Sequence, residues 1–337
     1  LDRHDDEILP GMKEAGPPDA SGQIARAAAL LRAGGVVAFP TETVYGLGAD
    51  AANDEALRRI FSLKGRPADH PLIVHIAAAA QMQDWARDIP AAAYALAERF
   101  WPGPLTLILR RREGVSALVT GGQETIGLRI PAHPVALALL RIFGGGVAAP
   151  SANRFGRVSP TRAEHVREEL GGGPDLILDG GDCPVGVEST IVDLTGSVPV
   201  ILRPGGIPPE ALERVMGQKI ELPGAARTGR APGMLASHYA PATPLRLVAR
   251  AELPAVAASL SATGKRVAVM ALSGCASATG QTVAMPSEPA AYGRDLYAVI
   301  RMLDGGGHDA ILVEMPPQTE AWLAVNDRLR KAGGGDS

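Results

Sequence analysis

None of the five lysines sits in a Gly-x4-Gly-Lys-Ser/Thr loop, so phosphate is not cradled in the P-loop manner. No GxGxxG follows a strand-like run, no GxSxG elbow occurs, and the seven histidines never fall at metal-ligand spacing. The common nucleotide, hydrolase and metal templates therefore fail. The two cysteines, Cys183 and Cys275, form no CxxC pair, which excludes a disulfide framework and a zinc knuckle and fits a reducing compartment. Aromatic residues make up only 4% of the chain, so its cores must be aliphatic and alanine-rich. No apolar run approaches the ~18 residues of a membrane span. The polar lead-in Leu1–Gln23 lacks the layout of a signal peptide, and the expectation is a cytoplasmic protein. The most informative absence lies between Thr125 and Ala163. That stretch carries five arginines (Arg129, Arg141, Arg154, Arg157, Arg162) and no Asp or Glu, although 36 acidic residues outnumber 33 basic ones in the whole chain. It reads as a surface kept free for an anion. A net charge of −3 argues against holding duplex nucleic acid by counterion release and favours a small anionic ligand.

With 337 residues the chain is long enough for two domains, and its 40 Gly and 28 Pro argue for many tight turns. Apolar positions Ile24, Ala27, Ala28 and Leu31 predict a helix from Ser21 to about Arg32, and Asp54 a helix N-cap. Short apolar runs at Val36–Phe39, Leu72–Ile76, Leu105–Leu109, Ile126–Ile130, Val147–Ala149, Leu176–Leu178 and Ile191–Leu194 read as strands. Thr161 and Glu164 have the spacing of a capping box. Strands and helices intermix, which indicates α/β, a twisted mixed sheet with helices packed on it. Residues 218–244 are rich in Gly, Pro, Arg and Ala and read as a linker between residues 20–217 and a smaller α/β domain at 245–333.

Several segments carry chemistry. Phe39–Gly48 follows a strand and is dense in hydroxyls, placing Thr43 at a strand end, where α/β sheets bind ligands. In Lys64-Gly65-Arg66-Pro67, a fixed guanidinium matches phosphate or carboxylate, although cations also suit a helix C-terminus without any ligand. Arg129 interrupts the apolar strand Thr125–Pro131; buried, it needs a partner, either an acid distant in sequence or a bound anion, of which the anion is the favoured reading. Pro150–Asn153, Ser159–Thr161, Glu188–Thr190 and Arg203–Gly206 add small donors at strand edges. Each alone is an ordinary turn; together they imply one pocket.

In order, PTETVYGLG (Pro40–Gly48), KGRP (Lys64–Pro67), PLIVHI (Pro71–Ile76), WPGPLTLIL (Trp101–Leu109), TIGLRIP (Thr125–Pro131), APSAN (Ala149–Asn153), ESTIVD (Glu188–Asp193) and LRPGGI (Leu202–Ile207) resemble the threonylcarbamoyl-AMP synthase family. The resemblance covers most of residues 20–215 and is specific only as a combination. The Pro-rich linker and α/β tail look like the family's long form, with a Rossmann-like domain after a YrdC-like catalytic domain whose sheet forms a concave cleft. What the resemblance implies is a nucleotidyltransferase that makes L-threonylcarbamoyl-adenylate from L-threonine, bicarbonate and ATP, with Mg²⁺, releasing pyrophosphate. The product would serve N6-threonylcarbamoylation of adenosine 37 in tRNAs that read ANN codons, through a transiently contacted transferase machinery and without stable nucleic-acid binding. Carried over by position, threonine would contact Thr43, His75, Arg129, the Ala149 backbone and Ser189. ATP would contact Arg66, His70, Thr125, Ser151, Asn153, Ser159, Arg203 and Tyr239. Lys64, Arg66 and Arg129 would be the catalytic cations, and His238 with Tyr239 would form a lid. His70 departs from the asparagine common in relatives, and imidazole can replace only one of the two amide hydrogen bonds. The competing expectation is an RNA-binding module that uses the same basic cleft without chemistry.

Overall fold

The computed structural model describes residues 20–222, 231–233, 238–272 and 281–334. Cys275, named above, lies outside them, as do residues 223–230 and 234–237 of the expected linker. Ten strands form one sheet: β1 (Val37–Phe39), β2 (Gly46–Asp50), β3 (Ile73–His75), β4 (Ala86–Arg87), β5 (Leu105–Arg111), β6 (Thr125–Arg129), β7 (Val147–Ala148), β8 (Leu176–Ile177), β9 (Thr190–Asp193) and β10 (Val200–Arg203). Their order is β10-β9-β5-β6-β3-β7-β2-β1-β8, with β4 on β5 and both parallel and antiparallel pairs. A second sheet, β11 (Leu245–Val248), β12 (Val267–Leu272), β13 (Gln281–Met285) and β14 (Ala310–Glu314), is parallel throughout, in the order β11-β14-β12-β13. The expected α/β class and the concave mixed sheet both appear.

Strand alternation explains the layers. In β1, Val37 and Phe39 join the helices Ala20–Arg32 and Pro134–Phe143 on one face, while Val36 and Ala38 meet Asp54–Lys64 and Ala163–Leu170 on the other. Toward β10 the two faces differ. Leu107, Leu128, Val74 and Ile201 are covered by Ala91–Phe100 and Pro209–Met216. On the opposite face Ile73, Ile108, Ile191, Val200 and Leu202 cluster with Ala231, and among the described residues no helix joins them. That helix-free face becomes the floor of the site.

Three local expectations needed correction. Asn53, not Asp54, caps its helix, because its side chain accepts the Glu55 and Ala56 amides at 3.0 and 3.1 Å. The Thr161–Glu164 capping box does not form: the His165 ring accepts the Thr161 amide, and Glu164 pairs with Arg167 at 3.0 Å. The hydroxyl-rich segment after β1 is a loop only to Tyr45, since Gly46–Asp50 pairs antiparallel with β1. Gly48 permits this, as a Cβ there would fall 2.6 Å from the Phe39 ring.

In the second sheet Val267, Val269 and Ala271 face the helix Leu253–Ala262. Ala268 and Met270 face Pro289–Asp304 and Leu323–Ala332, and that core continues into Val44, Val158 and Val187 of the first sheet's loops. The two sheets thus share one apolar core beside the site.

Candidate active site

The C-terminal ends of parallel neighbours β3 and β6 bring His75 opposite Arg129. Around them lies a cavity walled by Thr41, Thr43, Arg66, Ala149, Ser151, Glu188, Arg203, Gly233, His238 and Tyr239, with Ile73 on its floor. Its free volume is about 50 Å³, far below the roughly 300–1,000 Å³ of small-molecule sites.

Local chain geometry aims each cation inward. The helix Asp54–Lys64 ends on Gly65 at φ 61°, a left-handed cap that turns the chain and sends Arg66 into the cavity. Strand alternation would put Arg203 on the helix-covered face with Ile201. A register shift between the two re-aims it beside Ile191, on the open face. Arg203 donates to the Ser189 carbonyl (3.0 Å), the Ser189 hydroxyl (3.0 Å) and the Pro232 carbonyl (3.1 Å). Burial, with Arg203 nearby, pulls the Arg66 guanidinium down to about 10 despite the Tyr239 hydroxyl beside it.

Of the two partners expected for Arg129, the structure supplies the acid distant in sequence rather than the favoured bound anion. Its Nη2 donates to Glu42 Oε1 at 2.7 Å and to Thr43 Oγ1 at 3.0 Å, and its Nε to the Gly103 carbonyl at 3.2 Å. Glu42 also accepts the Ala132 amide at 2.9 Å. This acid stood in the Pro40–Gly48 motif, but no spacing rule joins positions so far apart. His75 is held neutral: burial first, and then Arg129, push it down to about 3.

Among the described residues, four of the seven buried side-chain polar atoms without a hydrogen-bond partner belong to this cavity: Arg66 Nε, His75 Nδ1, His238 Nδ1 and Tyr239 Oη. Buried polar groups are nearly always satisfied. Their gathering in one hollow, between three arginines, marks a site that a polar anion would complete.

The other expected residues stand outside the wall. Lys64 is buried behind it, its ammonium donating to the carbonyls of Ser151 (2.6 Å) and Asn153. Burial and the neighbouring Arg66 hold it well below a lysine's ordinary range, so it braces the Pro150–Asn153 segment rather than facing the hollow. Asn153 donates to the carbonyls of Arg154 and Arg157. The Ser159 hydroxyl is committed to Glu188 at 2.6 Å, and the Ser189 hydroxyl meets Thr106 at 2.8 Å. His70 packs edge-on to Phe155, which in turn meets His238. Thr125, paired with Arg110 at the start of β6, is roughly 13 Å from Arg129 along the strand at 3.3 Å per residue.

Sequence reasoning missed Glu188 as a wall residue and Arg328 as its partner. Arg328, on the last helix, donates to the Glu188 carboxylate at 2.7 Å, and Tyr297 does so at 2.9 Å. Burial alone would raise the Glu188 pKa, but Arg328, Arg203 and the Ser159 hydroxyl hold it down at about 2.

Residues 29–205 match the Sua5, YciO and YrdC family model, described as telomere recombination, and residues 207–334 match the threonylcarbamoyl-AMP synthase C-terminal domain. The chain belongs to this family. Threonylcarbamoyl-AMP synthase of Pyrococcus abyssi is 44% identical over 318 residues, covering 91% of this chain and 93% of that protein. The Bacillus subtilis enzyme of the same name is 44% identical over 323 residues, covering 93% of each. The crystal structure of P. abyssi Sua5 complexed with L-threonine superposes with a TM-score of 0.89 at 43% identity, covering 94% of this chain and 95% of that one. Family membership thus extends through both sheets. Among the described residues no helix is long and apolar enough to cross a membrane.

Proposed function

We infer that this protein is a nucleotidyltransferase that condenses L-threonine, bicarbonate and ATP into L-threonylcarbamoyl-adenylate and releases pyrophosphate. The observation that carries the reading is the convergence of Arg66, Arg129 and Arg203 with four unpartnered polar atoms on one cavity. The family relatives named for this reaction, one of them crystallised with L-threonine, support it.

In this reading the cavity, about 50 Å³ as it stands, widens as the His238–Tyr239 wall parts, and the α-carboxylate of threonine lies against Arg129, with Thr43 and the Ala149 backbone beside it. The neutral His75 ring offers Nδ1 to the amino acid without adding charge. Threonine's neutral amine adds to CO2 and sheds a proton to solvent, or condenses with bicarbonate and expels water. The resulting N-carboxylate attacks the α-phosphorus, and the bond to pyrophosphate breaks as the new P–O bond forms. Arg66, Arg203 and Ser151 line the polyphosphate side, so catalysis is positioning plus stabilisation of phosphate charge, and no protein nucleophile is required. Magnesium would enter with ATP as the counter-ion of its phosphates. The adenylate then passes, in the cytoplasm, to a transferase that modifies tRNA. Pyrophosphate release from ATP, with threonine and bicarbonate omitted in turn, tests this. It should require both; release indifferent to threonine would reject the substrate assignment.

A further inference from the structure

Glu188 puts a negative charge into a cavity otherwise built for anions. Besides the Ser159 hydroxyl at 2.6 Å, the side chains hydrogen-bonded to this carboxylate, Arg328 and Tyr297, come from the second sheet's helices. Arg328 is fully buried and donates through Nε to Glu188 Oε2, through Nη2 to the Glu188 carbonyl (3.2 Å) and through Nη1 to the Pro204 carbonyl (2.9 Å), next to Arg203. Its guanidinium lies 5.3 Å from the Tyr239 ring centroid, and Tyr239 packs on Tyr297 at 5.7 Å. Asp327 holds Arg328 from behind at 2.6 Å. The helix Pro289–Asp304 also lies close against the first sheet's loops, where a Cβ on Gly186 would fall 2.4 Å from the Arg294 backbone. One side chain therefore fixes the Glu188 loop, the Arg203–Pro204 turn and the Tyr239 wall.

We propose that Arg328 is a positioning residue through which the C-terminal domain neutralises Glu188 and seats Arg203 and Tyr239 for the polyphosphate of ATP. This rests on the adenylate-forming reading above. The groups facing Glu188 are Arg328, Arg203, Tyr297, Tyr239, His238 and the Ser159 hydroxyl; among the cations, only Arg328 is supplied by the second sheet. Without it the carboxylate would keep the Ser159 and Tyr297 hydroxyls and the nearby Arg203 but lose its salt-bridge partner, and a buried charge deprived of such a partner is strongly unfavourable beside an incoming polyphosphate.

The test is steady-state pyrophosphate release by the full chain, with KM taken separately for ATP and threonine. Arg328→Met should raise KM for ATP by about tenfold or more while KM for threonine moves less than about threefold. Arg328→Lys retains the charge and should recover most of the ATP affinity. The double variant Glu188→Gln with Arg328→Met removes both charges and should also recover it. Equal rises in both KM values, an unchanged ATP KM in Arg328→Met, or a double variant no better than the single one would overturn the proposal. Should Arg328→Met not fold, by its circular dichroism, Arg328→Lys decides: ATP KM near the wild-type value supports the charge role, and a tenfold rise rejects it. Failure of the wild-type chain to release pyrophosphate with threonine would instead reject the underlying function.

Discussion

Arg129 binds Glu42, Thr43 and the Gly103 carbonyl at once, with side-chain exposures of 5% for the arginine and 7% for the glutamate. The pair therefore supports both the fold and the proposed threonine site. Arg129→Ala should cost roughly 3–5 kcal/mol in urea denaturation, because Glu42 is left buried and unpaired. It should also raise KM for threonine more than KM for ATP; equal loss of both would contradict the assigned role. Lys64 belongs to a different class. Lys64→Met deprives the Ser151 and Asn153 carbonyls of a charged donor, a loss of about 1–3 kcal/mol. If the lysine only braces that segment, Lys64→Arg should leave kcat closer to wild type than Lys64→Met; a kcat equally low in both would return it to the list of groups touching phosphate.

At the level of elements, the wall formed by Pro232–Gly233 and His238–Tyr239 is held by contacts of little tolerance. Gly233 sits at φ 81°, and a Cβ there would fall 2.3 Å from the Tyr239 hydroxyl. Tyr239 itself adopts φ 62°, and Ala240 is tied to the Gly156 carbonyl at 2.8 Å. Gly233→Ala adds about 1–2 kcal/mol of left-handed strain as well as the clash. The outcome expected is a lowered kcat/KM for ATP with both sheets intact by circular dichroism; kinetics matching wild type would mean that this wall takes no part in closing the site. The register shift in β10 has a parallel role, because it alone turns Arg203 from the helix side to the cavity side.

Over the whole molecule, buried neutral histidines make stability depend on pH well above the carboxylate range. Burial leads the downward shift of His75 and His238 to about 3 and of His165 to about 4, with nearby arginines adding to it. The unfolded chain takes up these protons near 6.5 while the folded chain does not, so stability is complete above that value and falls as pH drops from about 6.5 toward 3. A ring as buried as His75 contributes up to about 1.4 kcal/mol per pH unit in that window. The urea midpoint should fall between pH 7.5 and 5.5, and His75→Gln should reduce the slope. A slope unchanged by that substitution would mean that His75 takes up its proton as readily in the folded protein as in the unfolded chain.

Most strands of the first sheet, the arginines and the small-residue turns were readable from the chain, since alternation, helical spacing and turn chemistry are local. The motifs placed Thr43, His75, Arg66, Arg129, Ala149, Ser151, Arg203 and Tyr239 as candidates, and all eight line one cavity. Tertiary structure decided the rest. Glu42 with Arg129 and Glu188 with Arg328 are 87 and 140 residues apart, and no periodicity links such positions. The arginine-rich, acid-free stretch was read as a surface kept free for an anion, yet Arg129, Arg157 and Arg162 pair with Glu42, Asp304 and Asp182, because a desolvated charge takes whatever partner folding brings within reach. Sequence determined which groups were available; packing the second sheet's helices against the first sheet's loops determined which of them face the hollow and which are bound behind it.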